Sequence, residues 1–280
     1  MKHKFLNILS RVVFYSGILY FIRKRKLKAG SVTILCLHRV SDDSSLSWPP
    51  LPIKVFDRLC AYWSKNYTVT TFETLLTSAN SKKPLLILSF DDGYSDFHTH
   101  AMPILRKYEL PANLNIISNC PDKKTVLWTQ QLNNLFDEAW RLGKKEKIQL
   151  ADDLHAELSG DKEKMTDECL RLYKELSRKK SSEIHECIQV LCEKTGIIIP
   201  ESKMMNWDEI IEVANEGIEI GSHTVSHNLL SKLNNDELKN ELSESKQVIQ
   251  NTTGIATEII AFPNGDYNKH VLTESEVARY

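Results

Sequence analysis

The stretch ILSFDDGYSDF, residues 87–97, runs an apolar segment directly into two adjacent carboxylates, Asp91 and Asp92, and then into a glycine. Two ionised carboxylates side by side repel each other, and the loss of water at the end of a buried strand strengthens the repulsion. Asp-Gly is also a common turn dipeptide, so the pair could simply turn the chain. The choice between a turn and a functional site depends on which other residues the fold brings to the same place.

Short apolar segments of the same kind recur after residue 30 and alternate with helical patterns. Near-continuous apolar strands separated by helices are typical of a parallel sheet that is buried on both faces. The sequence therefore predicts an α/β fold, either an α/β barrel or a doubly wound sheet. The predicted strands are SVTILCLH (31–38), LLILSF (85–90), ANLNIIS (112–118), IEIGSH (218–223) and TEIIAF (257–262).

Three segments between these strands have helical spacing, and one further region interrupts the alternation. In the helix DELKNELSESKQVIQNTTG an apolar stripe is followed by Gly254, which indicates where the helix ends. A lysine- and glutamate-rich region, about residues 123–203, predicts an insertion of several short helices, with charge runs on a solvated face. The other two helical segments are VFDRLCAYWSKN and DFHTHAMPILRKY, and the apolar positions of the insertion are Leu170, Leu172, Tyr173 and Leu176.

Composition excludes some classes of protein. The chain has 280 residues and a formal net charge of -1, whereas a nucleic-acid binder held by phosphate contacts is expected to show a basic surplus. Its six cysteines are scattered without a CxxC pair, so the sequence indicates neither a disulfide framework nor a zinc–cysteine site. Cys36 lies in an apolar strand and is expected to be a small buried residue.

The N-terminus, residues 1–30, is expected to associate with a membrane. Residues 5–22 are largely apolar and are followed at once by RKRKLK, which holds that side in the cytoplasm by the positive-inside rule. Lys4, Asn7 and Arg11 share one helical face, which favours an interfacial helix or weak anchor with a basic skirt for anionic lipid. The alternative is an amphipathic helix packed on the domain that follows, residues 31–280.

Several predicted strands deliver a chemically capable residue at the C-terminal end, and in a parallel barrel all those ends open onto one face. His38 ends the first strand, the two aspartates follow the second, and His223 ends a later one. His223 and His227 are four residues apart, so on one helical turn both imidazoles would face the same way. Such a pair can present two nitrogen ligands to one metal, which a carboxylate completes. Alone, the pair is weak evidence, because solvent-facing or satisfied core histidines explain such a spacing more often than a metal site does.

Three motifs, FDDGYSD, GSHTVSH and AFPNGDY, occur in this order and resemble the first three motifs of the polysaccharide deacetylases, the NodB-homology carbohydrate esterases. The resemblance covers roughly residues 31–280 apart from the helical insertion. It implies a distorted, incomplete (β/α) barrel of the NodB-homology type and a divalent metal, usually zinc. It also implies hydrolysis of N-acetyl groups on an amino-sugar polysaccharide.

The resemblance assigns separate roles to the two aspartates. Asp91 corresponds to the general base, and Asp92, His223 and His227 correspond to the metal ligands. The charge of the metal would keep Asp92 ionised as a ligand, while Asp91 would remain free to take a proton from the attacking water.

The third motif and the first strand supply the remaining candidates. Pro263 and Asn264 are expected beside the metal, where the backbone N–H of Asn264 would donate to the oxyanion. Ala261 stands where many members carry an arginine that orients the base, an absence that one subfamily shares. His38 is expected on the same face, supporting the site or touching substrate, although a strand-end histidine bonded to a backbone carbonyl is an equal alternative.

The family's later motifs supply an apolar wall for the acetyl methyl group and a histidine acid, and neither follows the third motif here. The chain therefore looks truncated at Tyr280, and we expect it to bind metal but to deacetylate weakly or not at all. Two hypotheses follow: a metal-dependent deacetylase of a bacterial amino-sugar polymer, or a truncated inactive relative that binds metal and glycan or a partner. A glycosidase is disfavoured, because adjacent carboxylates cannot flank a glycosidic bond ~5 to 9 Å apart.

Overall fold

The computed structural model describes residues 31–121, 127–179, 181–199 and 204–280. The predicted membrane-associating segment, residues 1–30, lies outside the described residues. Within the described ranges, no helix combines the length and the apolar character that crossing a bilayer requires.

The described part of the chain contains seven strands, of which five form one parallel sheet and two form a separate hairpin. The sheet has the order β1-β3-β4-β7, and β2 pairs with the first half of β3. All of its pairings are parallel, which confirms the predicted α/β class. The strands are β1 (Val32–Leu37), β2 (Thr68–Thr70), β3 (Leu85–Phe90), β4 (Asn113–Ile116), β5 (Lys147–Ala151), β6 (Leu154–Glu157) and β7 (Glu219–Ser222).

Eight α-helices surround these strands in the described residues. The predicted stop at Gly254 is confirmed, since this residue ends α7 in the left-handed conformation with φ of 76°, which glycine adopts without steric cost. The helices are α1 (Ile53–Asn66), α2 (Met102–Lys107), α3 (Trp128–Arg141), α4 (Lys162–Leu176), α5 (Ser181–Thr195), α6 (Trp207–Asn215), α7 (Asn235–Thr253) and α8 (Lys269–Val277).

The main core lies between one face of the sheet and α1, α2, α6 and α7. Along β3, Leu86, Leu88 and Phe90 point into this core because alternate residues of a strand share a face. Phe56 of α1 meets Phe90 edge-on, with ring centroids 5.9 Å apart. Full burial of side chains of this size is worth about 1.5 to 3 kcal/mol each, so this layer fixes β3 in the middle of the molecule.

The opposite face of β1 is open, which differs from the prediction that the strands are buried on both faces. Val32 is 45% exposed and Ile34 is 56% exposed. β1 is at the edge of the sheet, and no layer of the described chain covers its outer side. A cleft of about 1300 Å³ lies there instead. The five strands of the parallel sheet therefore form an open sheet with edges at β1 and β7.

The prediction of a strand over residues 257–262 is wrong in extent. Only Ile260 forms a bridge, to Ser222 at the end of β7. The side-chain oxygen of Thr257 accepts from the N–H of Ile259 at 3.2 Å, and such local bonds compete with a regular ladder. The segment nevertheless lies beside β7, since Ala261 donates its N–H to the carbonyl of Ser222 at 2.9 Å.

The inserted region contains three long helices, α3 to α5, rather than several short ones, and it also contains a hairpin that was not predicted. β5 and β6 pair antiparallel across Asp152 and Asp153. Neither strand is rich in β-branched residues, so strand propensity did not predict the hairpin. Side-chain packing is what stabilises it. Ile148 and Leu154 of the hairpin join a separate core with Phe136 of α3.

The insertion is tied to the loop that follows β1. Asp137 of α3 accepts a hydrogen bond from the N–H of Leu46 at 2.7 Å, and Leu46 packs against the core of the insertion. Asn133 donates to the hydroxyl of Ser45 at 2.8 Å. These contacts bring α3 and α4 over the carboxyl ends of the strands, beside the site described next.

Candidate metal centre and active site

Chemically capable side chains meet at the carboxyl edge of the sheet. Asp91 and Asp92 follow β3 directly, His223 follows β7, and His227 lies four residues beyond. Because the strands are parallel, their carboxyl ends share an edge, and these side chains line one cavity of about 360 Å³. The structure thus brings the four residues together, as the motifs predicted.

Asp92 is the centre of this group. Its Oδ1 lies 3.4 Å from Nε2 of His223 and 3.5 Å from Nε2 of His227. The side chain is buried, and Oδ1 has no hydrogen-bond partner. A buried carboxylate oxygen without a partner is costly, so this atom indicates a missing positive group.

The orientation of His223 supports the same conclusion. Its Nδ1 is 2.7 Å from the carbonyl oxygen of Ala261, which can only accept, so Nδ1 carries the proton. In the neutral ring, Nε2 then presents its lone pair to Asp92. Two acceptors that face each other across a buried gap repel unless a cation lies between them.

The pKa shifts describe how unfavourable the ion-free arrangement is. Burial raises the pKa of Asp92 to about 8, and the charge of Asp91 adds to the shift. Burial lowers the pKa of His227 to about 3, with smaller effects of His223 and His38 in the same direction. Burial also lowers the pKa of His223. All three ligand candidates are therefore driven toward their neutral forms without a bound cation.

The spacing fits a metal ion of the size of zinc. Metal–nitrogen and metal–oxygen distances of about 2.0 to 2.2 Å place neighbouring ligands of a tetrahedral site about 3.3 Å apart. The separations from Asp92 to the two imidazoles, 3.4 and 3.5 Å, agree with this value. The ligand atoms of Asp92, His223 and His227 all lie within 4.8 Å of one another.

The two histidines do not lie on a helical turn, and that part of the prediction is wrong. Residues 223–229 form an irregular loop in which Thr224 and His227 have positive φ, 69° and 59°. The loop turns back on itself, so the two imidazole centroids are 4.9 Å apart in a T-shaped arrangement. The two rings are close together, as the i, i+4 spacing predicted, but an irregular loop and not a helical turn places them there.

Glu241 of α7 holds this loop. Its Oε2 accepts from the N–H groups of Val225 and Ser226 at 2.8 and 3.0 Å. Its Oε1 accepts from the side-chain amide of Asn228 at 3.0 Å. The carboxylate is buried, and all three of these hydrogen bonds come from residues that flank His227. It lies outside the three motifs, so no sequence pattern predicted its role.

Asp91 has partners of its own, distinct from those of Asp92. Its Oδ1 accepts from Nδ2 of Asn115 at 2.7 Å, and its Oδ2 accepts from Sγ of Cys36 at 3.2 Å. These donors orient the carboxylate that an arginine orients in many family members; Ala261 contributes only its carbonyl, to His223. The prediction that Cys36 is buried is wrong, since it is exposed on the open face of β1. None of the six cysteines, all of them in the described ranges, forms a disulfide.

His38 lies at the same edge of the sheet, where it was predicted. One of its ring nitrogens is within 4.8 Å of both the Asp91 carboxylate and the Cys36 sulfur. Burial lowers the pKa of His38, and the charge of Asp91 opposes that shift. Its ring also meets Trp48 edge-on at 6.0 Å. The imidazole is thus in reach of Asp91 or of a substrate, and its role stays a prediction.

The third motif forms a short 3₁₀ turn, Pro263–Gly265, at the rim of the cavity. Asn264 has a φ of 55°, which asparagine tolerates better than most residues. Its side-chain Oδ1 accepts from the hydroxyl of Tyr173 at 2.7 Å. The first hydrogen bond of the turn runs from the N–H of Gly265 to the carbonyl oxygen of Phe262. The N–H of Asn264 comes one residue earlier and takes no part in that bond.

Sequence reasoning missed an aromatic wall. Tyr173 of α4 stacks on Trp128 of α3 with centroids 5.4 Å apart, and Trp48 lies 6.4 Å from Tyr173. The sequence offered Tyr173 only as one apolar position of an inserted helix. Its place beside the active-site cavity depends on the packing of the insertion against the loop after β1. His270, by contrast, lies on α8, where it bonds Asn235 at 2.8 Å, outside the lining of the cavity.

Comparison with known proteins shows the family. The family model described as polysaccharide deacetylase matches residues 78–145 and 173–280, well over half of the chain. The chain belongs to the polysaccharide deacetylase family. Both matched ranges contribute to the site, the first with Asp91 and Asp92 and the second with His223 and His227. The unmatched residues between the ranges fall within the insertion.

Two known proteins are similar to this chain in sequence. The Bacillus subtilis (strain 168) protein YxkH, whose own name assigns it provisionally to this family, is 24% identical over 258 residues, which cover 90% of the chain. The peptidoglycan-N-acetylglucosamine deacetylase of Bacillus cereus is 39% identical over 54 residues, 19% of the chain and 20% of that protein. The chain spans 63% of the length of YxkH.

Solved polysaccharide deacetylase structures share the fold. Streptococcus pyogenes deacetylase PplD, solved in complex with acetate, has a TM-score of 0.57 at 18% identity, covering 89% of the chain and 80% of PplD. The Bacillus cereus polysaccharide deacetylase BC0361 has a TM-score of 0.56 at 18% identity, covering 89% of the chain and 56% of that protein. The family and these folds confirm the predicted NodB-type architecture, a distorted barrel that remains open in the described residues.

Proposed function

We propose that this chain hydrolyses N-acetyl groups on an amino-sugar polysaccharide. The observation that carries the proposal is the unpartnered, buried Oδ1 of Asp92 between two imidazole nitrogens, with a second, separately oriented carboxylate beside it. Membership of the polysaccharide deacetylase family supports the reaction class.

Asp92, His223 and His227 would hold a divalent cation, and zinc suits this set of two nitrogens and one carboxylate oxygen. Such an ion supplies Lewis acidity, lowering the pKa of water toward about 7 and polarising the acetamide carbonyl. His223 is prepared for this role because Ala261 accepts its Nδ1 proton and fixes the tautomer that leaves Nε2 free.

Asp91 acts as the base in this proposal. Asn115 and Cys36 hold its two oxygens, so the carboxylate enters the reaction already oriented. It takes a proton from the attacking water as the new carbon–oxygen bond forms. It can return that proton to the nitrogen as the carbon–nitrogen bond breaks. The second proton of the water passes from the new carboxyl group to the amine, so the products are acetate and an ammonium group.

Asn264 serves the oxyanion. Its main-chain N–H lies ahead of the first hydrogen bond of the 3₁₀ turn and is free to donate to the developing charge. Tyr173 holds the side chain of Asn264, and Pro263, the first residue of the turn, is buried. The donor is therefore fixed before substrate arrives.

The shape of the cavity supports a sugar substrate. Its volume of about 360 Å³ is at the lower end for small-molecule sites, and Trp48 and Tyr173 form an amphipathic aromatic wall on one side. The 54-residue match to a peptidoglycan-N-acetylglucosamine deacetylase makes polymers of N-acetylglucosamine the first substrates to test.

A metal-content measurement tests the proposed ligands. His223→Ala should bind one equivalent of zinc less than the unchanged chain in elemental analysis, while the far-UV circular dichroism stays unchanged. His270→Ala, which changes an exposed histidine outside the cavity, should keep full occupancy. Full zinc occupancy in His223→Ala would refute the assignment.

An assay of acetate release tests the reaction. Because Asp91 can also deliver the proton that a histidine acid was expected to supply, the zinc-loaded chain should release acetate from a chito-oligosaccharide, and Asp92→Asn should not. If the chain binds both zinc and the oligosaccharide yet releases no acetate, it is a glycan-binding relative rather than an enzyme, and the proposal is wrong.

We also propose that residues 1–30 bring the protein to the cytoplasmic face of a membrane. The support is the apolar run of residues 5–22 with its adjacent RKRKLK cluster. Sedimentation with vesicles that contain phosphatidylserine should carry the full chain down, and neutral vesicles should carry less. Equal sedimentation of a chain with the cluster changed to glutamine would contradict the electrostatic part.

A further inference from the structure

A second cluster of potential metal ligands lies next to the first. Cys36 contributes a sulfur, His38 a ring nitrogen and Asp91 a carboxylate oxygen, and these atoms all lie within 4.8 Å of one another. None of the three belongs to the set formed by Asp92, His223 and His227. The two clusters are joined by the peptide bond between the aspartates, and both line the active-site cavity.

The chemistry of this cluster favours zinc and softer ions. Thiolate, imidazole and carboxylate ligands together suit zinc, and a thiolate selects against magnesium and calcium. The Cys36 sulfur is 3.2 Å from Oδ2 of Asp91, and ligands of these two types lie about 3.6 Å apart in a tetrahedral zinc site. The sulfur and the carboxylate need to separate by only a few tenths of an ångström, and the partly exposed His38 can swing toward them.

The cluster can be reached from solvent. Cys36 and Asp91 line the active-site cavity, and both also line the cleft of about 1300 Å³ on the open face of β1. They form part of the wall between the two spaces. An ion can therefore approach the sulfur from the cleft without passing the Asp92 site.

We propose that Cys36, His38 and Asp91 form a second cation site, selective for thiophilic divalent ions. On binding, the Cys36 S–H bond breaks and its proton goes to solvent, and the thiolate and Oδ2 of Asp91 both bond to the ion. The ion thus takes the place of the thiol hydrogen, while Asn115 keeps its hydrogen bond to Oδ1.

Occupation of this site inhibits the enzyme, a consequence that rests on the proposed function. An ion bonded to Asp91 carries a full positive charge in place of a neutral thiol, and it lowers the basicity of the carboxylate that would accept a proton from water. The first ion at Asp92 would activate the reaction, and a second at Cys36 would stop it.

Cadmium titration tests the site without any assay of turnover, because a cadmium–thiolate bond gives a charge-transfer band in the ultraviolet. The full-length chain should bind two equivalents of Cd²⁺, one of which produces the band. Cys36→Ser should bind one equivalent with no band. Cys192→Ser, which removes a partly exposed thiol on α5, should behave as the wild type.

Two further variants separate this site from the first. His38→Ala should lower the affinity for the ion that produces the band by at least about tenfold, because even a change in a residue that only supports a metal ligand causes a loss of that size. His223→Ala should lose the other equivalent and keep the band. A band that survives Cys36→Ser, or a wild-type chain that binds two equivalents without a band, would overturn the proposal. Two equivalents retained by His223→Ala would refute the Asp92 site alone.

Inhibition gives an independent readout. Zinc in excess of one equivalent should slow acetate release by the wild type and have at least about tenfold weaker effect on Cys36→Ser, each relative to its own rate with one equivalent. Circular dichroism shows whether Cys36→Ser is folded. Equal inhibition of the two folded chains would contradict the inhibitory role.

Discussion

Asp91 and Asp92 are neighbours in the chain, yet their carboxylates face different surroundings. The left-handed backbone at Asp92, with φ of 76°, turns the two side chains apart. Asp91 meets the donors Asn115 and Cys36, whereas Asp92 meets two lone pairs. Hydrogen bonds thus relieve the repulsion on the side of Asp91, and the proposed cation would relieve it on the side of Asp92.

The division of roles predicts the behaviour of Asp91→Asn. The amide cannot accept a proton from water, so kcat should fall by roughly 10² to 10⁴, the usual worth of a positioned base. The zinc content should remain at one equivalent, because Asp92, His223 and His227 are unchanged. Steady-state acetate release and elemental analysis on the same preparation check both halves. An unchanged kcat, or a loss of zinc, would show that the two aspartates have been assigned the wrong way round.

At the scale of elements, the loop after β7 depends on α7. The buried carboxylate of Glu241 accepts two main-chain N–H groups of that loop. Hydrogen bonds to a charged group contribute about 1.5 to 3 kcal/mol each, so this one side chain fixes the position of His227.

Glu241→Ala should therefore weaken zinc binding by about 10- to 100-fold, the range for residues that support metal ligands. It should also lower the free energy of unfolding by about 2 kcal/mol, because two main-chain N–H groups lose a charged acceptor. Isothermal titration with zinc and urea unfolding measure the two effects. Glu244→Ala, an exposed change on the same helix, should alter neither. Equal zinc affinity in the two variants would contradict the supporting role.

Helix α4 of the insertion contributes to the site through Tyr173. Tyr173→Phe removes the hydrogen bond to Asn264, and a bond of this kind is worth about 1 kcal/mol, so kcat should fall about fivefold. Tyr173→Ala also removes part of the aromatic wall and should raise KM. Tyr267→Phe, at a tyrosine that is 58% exposed, is the matched control. Steady-state kinetics on a chito-oligosaccharide would show the idea to be wrong if Tyr173→Phe and Tyr267→Phe behaved alike.

The elements that the sequence predicted well are those whose signals are local. β3 was predicted at its observed bounds, 85–90, because a buried apolar run meets turn residues at both ends. The end of α7 was marked by Gly254. The turn at 223–227 was mispredicted, because its shape depends on hydrogen bonds to Glu241. That residue belongs to α7 and lies outside the local stretch of sequence from which the turn was predicted. The strand at 257–262 was overpredicted, because Thr257 bonds its own backbone.

The candidate site divides in the same way. The ligand candidates were found because each follows a predicted strand or lies in a short motif. Trp48, Tyr173 and Asn115 were not found, because what brings them to the cavity is the packing of separate elements. Cys36 was expected to be buried, and only the open face of β1 shows that it is exposed.

At the scale of the whole molecule, the metal-free site makes stability depend on pH. The raised pKa of Asp92, about 8, means that the folded chain holds a proton that the unfolded chain releases near its ordinary pKa of 3.8. Stability from this group is present at low pH and is lost as the pH rises toward 8. The lowered pKa values of His223 and His227 act in the opposite direction, but only below about 6.5.

The metal-free chain should therefore become less stable between pH 6.5 and 8, by about 1 to 2 kcal/mol. Saturating zinc should remove the decline, because metal ligands bind in their deprotonated forms and the ion replaces the proton. Calorimetry with a chelator and with zinc measures the difference. Asp92→Asn should show a flatter metal-free profile. A metal-free chain whose Tm rises from pH 6.5 to 8 would contradict the prediction.

The carbonyl of Ala261 offers a last consequence. Every residue type has the same main-chain oxygen, so the support that His223 receives does not depend on which side chain stands at position 261. That side chain is partly exposed and borders the cleft. A change of side chain at position 261 would thus leave the imidazole where it is, and the alanine there does not by itself mark this chain as inactive, since Asn115 and Cys36 orient Asp91.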